Sequence, residues 1–467
     1  MNISIQFLGA ARSVTGSKHL LHFDDFQVLL DCGLFQGLKE LRLRNWDNFP
    51  MDVSKIEALV LSHAHIDHIG YLPKFVKEGF DGPVYCTAAT AELARILLLD
   101  SAKLQEEEAE WAKKKGYSKH HPPRPLYTTE DVENTFRLFR PYEFEEDIYL
   151  RDDIRVRFHN AGHILGAAWV ELTVNTPQQQ KTLVFSGDIG RYHQPILRDP
   201  SPIQQADILI TESTYGDRDN VFEDPSEEFA QVINEAMEQG GCLLIPAFAL
   251  GRTQMVMFYL RKLMESGKVP KVPVYLDSPM AISVTRLYRK LHSYHKLPEQ
   301  ELEGAASIFD YPYFKYFRSV QESQTINEIR SNAIIVSSSG MCTGGRILHH
   351  LYHRLPREED TILFVGYQAK GTRGRDIMEG KEKIRMFGLD VPVKMQVRKI
   401  DGLSAHADRQ ELLKWAGTLK EAPKRTFIVH GEPESAEALQ QSIMQELGWQ
   451  NVIVPDYMEK HSLFENI

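Results

Sequence analysis

Cysteine is scarce in this chain, with four in 467 residues, at Cys32, Cys86, Cys242 and Cys342, and no C-x-x-C pair. That spacing excludes a disulfide framework and fits reduced, buried thiols of a cytoplasmic protein. Long apolar runs are also missing. None approaches the roughly 18 residues that a membrane helix needs, so no membrane is expected as a partner. No basic and apolar leader precedes the strand-like opening Ile3-Ser4-Ile5-Gln6-Phe7, and no export signal is read. Net positive charge is lacking as well. At −10 the chain cannot coat nucleic acid through bulk charge, although a metal site or one basic groove can still attract phosphate locally. Repeats and low-complexity tracts are absent.

What is present suits a globular protein of more than one domain. Apolar residues at 42% and charged residues at 25% are ordinary for the class, and the length exceeds one usual core. Short apolar runs end in polar loops: Gln27-Val28-Leu29-Leu30 leads into Asp31, and Ala58-Leu59-Val60-Leu61 leads into Ser62-His63. Trp169–Val174 and Thr182–Phe185 flank the polar turn Asn175–Lys181 and read as a hairpin. A helical stretch from Ala91 to Lys115 gives way to a proline-rich loop, His120–Pro125. After Ile208–Thr211, strands (Cys242–Ile245, Val272–Leu276, Ala333–Val336, Thr361–Val365) alternate with helices (Pro225–Gln239, Arg252–Ser266), which predicts a parallel α/β domain. Near Met395 the strand-and-loop style returns. An insertion splitting one domain explains this order: 1–208 and 396–467 form one domain, 209–395 the other.

The strongest local signal is His63-Ala64-His65-Ile66-Asp67-His68, directly after a strand. Imidazole and carboxylate are natural zinc ligands, and one turn carrying four of them holds their geometry at low entropic cost. Two histidines two apart can face one ion while Asp67-His68 turn toward a second. Further candidates stand at strand ends beside small residues: His163 before Ile164-Leu165-Gly166, Asp188 in Gly187-Asp188-Ile189-Gly190, and His430 before Gly431. Singly each is a common cap or turn residue; jointly they point to a metal site.

The ordered set Asp31, His63/His65/Asp67/His68, His163 and Asp188 resembles the metallo-β-lactamase superfamily. Later motifs resemble its β-CASP branch, which includes RNase J-like enzymes and the nuclease of pre-mRNA 3′-end processing. These motifs are Thr211-Glu212-Ser213-Thr214-Tyr215-Gly216, Gly402-Leu403-Ser404-Ala405-His406-Ala407-Asp408 and Val429-His430-Gly431. The resemblance covers essentially the whole chain. It implies a metallo-β-lactamase αββα sandwich with an inserted parallel α/β β-CASP domain.

The same resemblance implies two Zn2+ ions, with His63, His65 and His163 on the first, Asp67, His68 and His430 on the second, and Asp188 bridging. It makes the chain a zinc-dependent ribonuclease of RNA processing or decay, acting as an endonuclease, a 5′-to-3′ exonuclease or both. The nucleophile would be a bridging hydroxide. Asp67, Glu212 and His406 are the expected catalytic residues, with Asp31 bracing the metal loop. Single-stranded or unpaired RNA is the implied partner, and relatives commonly form homodimers. His430 tilts the substrate toward RNA, since the DNA-repair relatives usually carry an apolar residue at that position.

From the residues themselves, nine Lys/Arg against four acids between Lys370 and Lys399 suggest a track for a phosphodiester backbone. The loop from Ser337, Ser338, Ser339 and Gly340 to Arg346 could offer N–H groups and a guanidinium to phosphate, and the resemblance of Pro246–Gln254 to the β-CASP branch implies that Arg252 joins it. Two alternatives stay in view. One is a small-molecule thioester or lactam hydrolase of the same superfamily, which would not need a roughly 185-residue insert. The other is a non-catalytic subunit of an RNA-processing complex, against which the full ligand set weighs.

Overall fold

Alternation of apolar and polar residues decides the first sheet. In the computed structural model, strand Ile3–Phe7 buries Ile3, Ile5 and Phe7 and leaves Ser4 and Gln6 half-buried. It pairs antiparallel with His19–Phe23, which pairs antiparallel with Phe26–Leu30. Ala58–Val60, Val84–Thr87 and Phe139–Tyr142 then continue the sheet in parallel, and Lys460–Phe464 closes its other edge. The structure describes residues 1–115, 124–176, 179–219, 224–302, 307–400 and 402–465. His120–Pro123 of the expected proline-rich loop and positions 177–178 of the expected turn lie outside the described residues.

A second sheet runs in the order Val452–Ile453, Arg425–Ile428, Ile208–Thr211, Gln180–Phe185, Ala168–Asn175, Ile154–Asn160, Ile148–Arg151. The expected hairpin is its Ala168–Asn175/Gln180–Phe185 pair. Its inner face meets that of the first sheet in one buried cluster that includes Phe7, Leu21, Leu30 and Val60 from one side and Phe158, Val170, Phe185, Ile210 and Phe427 from the other. Each such side chain contributes about 1.5–3 kcal/mol on full burial, so strand ends project from a rigid floor. Helices Ala88–Lys115 and Pro433–Glu446 pack on strands of the two sheets. The arrangement is the αββα sandwich that the sequence implied.

The chain divides into two compact units, Met1–Asp219 with His406–Ile467, and Asn220–Ala405. The second unit is built on a six-stranded sheet in the order Phe314–Tyr316, Val274–Asp277, Ala333–Ser337, Cys242–Pro246, Thr361–Phe364, Gln396–Lys399, with every pairing parallel. Cys242–Pro246 and Ala333–Ser337 are buried at every position, as strands covered on both faces must be. Helices Ser226–Glu238, Arg252–Glu265, Pro279–Lys290 and Ile347–Arg354 alternate with these strands. Ser278 starts the third of them by accepting the Ala281 N–H, with Pro279 in the first turn. All four cysteines are buried and unbridged. No described helix is long and apolar enough to cross a membrane.

Candidate metal centre

The candidate ligands follow strand ends of the first unit. Asp31 follows Phe26–Leu30, Ser62-His63 follow Ala58–Val60, Asp188 follows Gln180–Phe185, Glu212 follows Ile208–Thr211, and His430 follows Arg425–Ile428. Asp67 and His68 sit on the short helix Ile66–Ile69. Two of these residues, Asp31 (φ 58°) and His430 (φ 50°), take the left-handed backbone conformation. That costs roughly 1–2 kcal/mol for a residue with a Cβ and is typical of strain held at functional sites. Gly33 permits the close approach of two of the loops, because a Cβ there would lie 1.6 Å from the Asp67 carbonyl oxygen.

Two donor clusters converge. His65 Nδ1 lies 3.2 Å from His63 Nε2 and 3.2 Å from His163 Nε2, while Asp188 Oδ2 is 3.4 Å from the first and 3.6 Å from the second of those Nε2 atoms. In the other cluster, His68 Nε2 is 3.1 Å from His430 Nε2 and 3.4 Å from Asp188 Oδ1, and His430 Nε2 is 3.3 Å from Asp67 Oδ2. Zinc–nitrogen bonds of roughly 2.0–2.1 Å in a tetrahedron place ligand atoms about 3.3 Å apart, which matches these separations. His163 is 1% exposed and so is Asp188, and neither Asp188 oxygen has a hydrogen-bond partner. A buried carboxylate without hydrogen bonds is costly unless a cation meets it. The donor set therefore fits Zn2+.

Protonation follows the same geometry. Burial, reinforced by the His68 charge, pushes His63 down to about 3, and burial pushes His65 down to about 4. Burial also takes His163 well below its ordinary range. These imidazoles are neutral near pH 7 and keep lone pairs for a metal. Burial alone would raise Asp188, but His430, His68 and His63 outweigh it and hold the carboxyl well below its usual range.

The surrounding residues aim the ligands. Asp31 accepts from the Ser62 N–H at 2.7 Å and from His68 Nδ1 at 2.7 Å, which leaves His68 Nε2 for the ion. Thr214 Oγ1 lies 3.1 Å from His430 Nδ1 and does the same for that ring. Ser62 Oγ lies 3.0 Å from His63 Nδ1. Thr214, Ser62 and Ser17, whose hydroxyl donates to Asp31 at 3.2 Å, were not singled out in the sequence. Thr214 does lie inside the Thr211–Gly216 motif, which was the available signal.

Glu212 is fully buried and accepts from the Ile189 N–H at 2.6 Å and the Thr214 N–H at 3.3 Å. Its Oε2 lies 3.2 Å from His406 Nδ1. With its oxygens so engaged, Glu212 suits a partner of His406 better than a third metal cluster with Asp188 and His430, although its distances allow one. Burial would lower His406, but Glu212, Asp188 and Asp67 prevail and raise it. A raised imidazole 3.9 Å from Asp188 Oδ2 can hold a proton beside the candidate ligands.

The expected phosphate-contacting residues lie in the second unit and are largely engaged there. Arg346 Nη1 donates to the buried Asp277 at 2.5 Å and to the Phe317 carbonyl at 3.2 Å. Arg252 is buried and donates to the Val365 carbonyl. Ser337 Oγ donates to the Asp277 carbonyl at 2.9 Å, the Ser338 hydroxyl is buried without a partner, and Ser339 Oγ accepts the Thr343 N–H at 3.1 Å. Gln368 Nε2 donates to the Gly340 carbonyl at 2.9 Å. The basic run is also largely paired: Arg375 with Glu379, Lys381 with Asp376, Arg385 with Asp390, Lys394 with Glu358, and Arg398 with Glu235.

Comparison with known proteins places this geometry. Residues 20–206 match the family described as metallo-beta-lactamase superfamily domain, 253–377 the Beta-Casp domain, and 390–455 the Zn-dependent metallo-hydrolase RNA specificity domain. The chain is 37% identical over 434 residues to Ribonuclease TTHA0252 of Thermus thermophilus, covering 92% of this chain and 94% of that protein. It is 32% identical to transcription termination factor FttA of Methanocaldococcus jannaschii, covering 92% of this chain and 67% of the relative. FttA of Methanosarcina mazei is also 32% identical, with 95% and 69% covered. Among solved structures, a protein of unknown function from Enterococcus faecalis V583 shares the fold, with a TM-score of 0.52, 13% identity, and 99% and 100% of the two chains covered. From its matched domains and its identity to these relatives, the chain belongs to the β-CASP ribonuclease family of the metallo-β-lactamase superfamily.

Proposed function

We propose that the chain hydrolyses RNA phosphodiester bonds with two Zn2+ ions, one held by His63, His65 and His163, the other by Asp67, His68 and His430. Asp188 offers one oxygen to each. The observation that carries this reading is the pair of donor clusters meeting at a buried carboxylate whose two oxygens have no hydrogen bond. When bound, the ions supply a water acidic enough to ionise near neutral pH and positive charge for the phosphoryl oxygens.

The chain's own residues do the rest. Asp31 and Thr214 hold His68 and His430 in the tautomer that points Nε2 inward. Glu212 holds the His406 ring by Nδ1, so Nε2 is the atom available to the scissile phosphate or to the leaving ribose oxygen. The raised pKa of His406 suits it to protonate that oxygen. Products with a 5′-phosphate and a 3′-hydroxyl are expected. The names of the relatives support RNA as substrate, and the FttA relatives add transcription termination to processing and decay as a setting.

The deciding experiment uses an internally labelled RNA bearing a 5′-monophosphate or a 5′-triphosphate, incubated with zinc-loaded and with chelator-treated protein. Zinc-dependent cleavage is expected. Discrete internal fragments indicate endonuclease action, and mononucleotides released from the 5′ end indicate exonuclease action. Cleavage that survives chelation, or none with zinc, rejects the proposal.

A further inference from the structure

The second unit contains a concavity of about 170 Å³ that the proposed chemistry does not use. Helix Pro279–Lys290 contributes Thr285, Arg286 and Arg289 to its wall, and the segment around strand Phe314–Tyr316 contributes Tyr316 and Arg318. In a chain of net charge −10, this lining holds three arginines and one acid, Asp310.

The polar groups of the wall are mostly satisfied within the protein. Arg289 pairs with Asp310. Thr285 Oγ1 donates to the Ala281 carbonyl at 2.7 Å and accepts from Gln254 Nε2 at 2.9 Å. The Tyr316 hydroxyl donates to the Phe309 carbonyl. Arg286 and Arg318 differ. Both are exposed, and among the described residues neither guanidinium meets a carboxylate. The nearby acid Glu322 is committed as a helix cap, accepting from the Arg318 and Ser319 N–H groups at 2.9 and 2.8 Å. Partial burial, then the neighbouring Arg286 charge, lowers the pKa of Arg318, so the two cations feel one another.

Among the described residues the wall presents two guanidiniums that meet no carboxylate, while its one acid, Asp310, is paired with Arg289, so it favours an anionic ligand. Sugars and nucleobases carry no charge to answer the two guanidiniums, and a metal cation would be repelled. Guanidinium forks match tetrahedral oxyanions in shape as well as charge. The volume is below the roughly 300–1,000 Å³ of ordinary small-molecule sites, so it admits one phosphate group and not a whole nucleotide. The segment carrying Arg318 is also held in place, because Arg346 binds the Phe317 and Arg318 carbonyls while anchored on the buried Asp277. The loop expected to touch phosphate directly thus braces a neighbouring arginine.

We propose that Arg286 and Arg318 form an oxyanion subsite for a single phosphate group, carried on an RNA chain or free as orthophosphate. The RNA source rests on the function proposed above; the anion chemistry does not.

The test compares the full-length zinc-loaded protein with R286Q/R318Q and R286K/R318K variants of matched melting temperature. One arm measures affinity for a labelled 2′-O-methyl single-stranded RNA, which resists cleavage, as salt is varied. The other measures inorganic phosphate binding by calorimetry. If RNA supplies the phosphate, R286Q/R318Q weakens RNA binding roughly three- to tenfold. Its salt slope also falls by about 0.7, the value for one lost phosphate contact on a single strand. The lysine variant keeps most of both. If the source is free phosphate, R286Q/R318Q loses one equivalent of orthophosphate binding and the RNA slope stays unchanged. The subsite is overturned if neither quantity changes. Wild-type hydrolysis of bis(p-nitrophenyl) phosphate, measured alongside, reports on the metal chemistry alone. Its absence would fail the proposed function and leave the subsite result standing.

Discussion

Asp188 in the first unit and Asp277 in the second are both buried carboxylates at the ends of strands, and their surroundings are opposite. Asp277 takes Arg346 Nη1 on one oxygen at 2.5 Å, and on the other His350 Nε2 at 2.7 Å and Ser323 Oγ at 2.6 Å. Burial would raise its pKa, but these partners keep it lowered. Asp188 has imidazole nitrogens at 3.4–3.6 Å and no hydrogen bond. One carboxylate closes a network with the protein's own donors; the other is flanked by imidazole nitrogens at separations that suit ligands of one divalent ion. Burial and residue type are the same in both places. Only the completeness of the hydrogen bonding separates a structural acid from a candidate ligand.

Substitutions can break this contrast. The largest effect is expected from Asp188→Ala, which should remove bound zinc and lower RNA cleavage by at least ~10⁴-fold, since the nucleophile depends on the metals. Elemental analysis showing two zincs retained per chain would end the bridging role. Next, His406→Ala should keep both metals and lose roughly 10²–10⁴-fold in turnover, the usual range for a general acid. A rate within twofold of wild type would take His406 out of the reaction.

Asp277→Ala should act on stability instead. It leaves Arg346 and His350 without their shared carboxylate and should cost about 3–5 kcal/mol in urea unfolding of the insert, with zinc content unchanged. Loss of zinc in that variant would blur the contrast.

A third kind of buried charge sharpens the picture further. Lys18 is 4% exposed, donates to the Gly33 carbonyl at 2.5 Å and lies over the Phe35 and Tyr71 rings. Burial lowers its pKa from 10.5 to about 8. Between those values the unfolded chain holds a proton that the folded chain has released, so its contribution to stability rises with pH across that window. Relative to Lys18→Met, wild type should gain about 3 kcal/mol from pH 8 to pH 10.5. Parallel stability curves for the two proteins would show that Lys18 titrates normally.

Much of the metal centre was legible because His63, His65, Asp67 and His68 are packed into one turn after a strand, where spacing alone constrains geometry. The hairpin Ala168–Asn175/Gln180–Phe185 and the alternating strands and helices of the insert were legible for the same reason, since periodicity is a local property. The partners of the basic run were not. Lys394 meets Glu358, and Arg398 meets Glu235, which lies 163 positions away. Charge counted along the chain therefore did not show which distant acids that stretch meets.

By itself, then, the sequence determined the α/β class, the insertion and the donor types able to hold zinc, because these follow from local period and side-chain chemistry. Tertiary structure alone decided that neither Asp188 oxygen finds a hydrogen bond, that Thr214 aims the His430 ring, and that Arg346 braces the chain while, among the described residues, Arg286 and Arg318 meet no carboxylate. Those outcomes depend on which distant groups share a space, and a buried polar atom's role is set by whether that space already contains its partner.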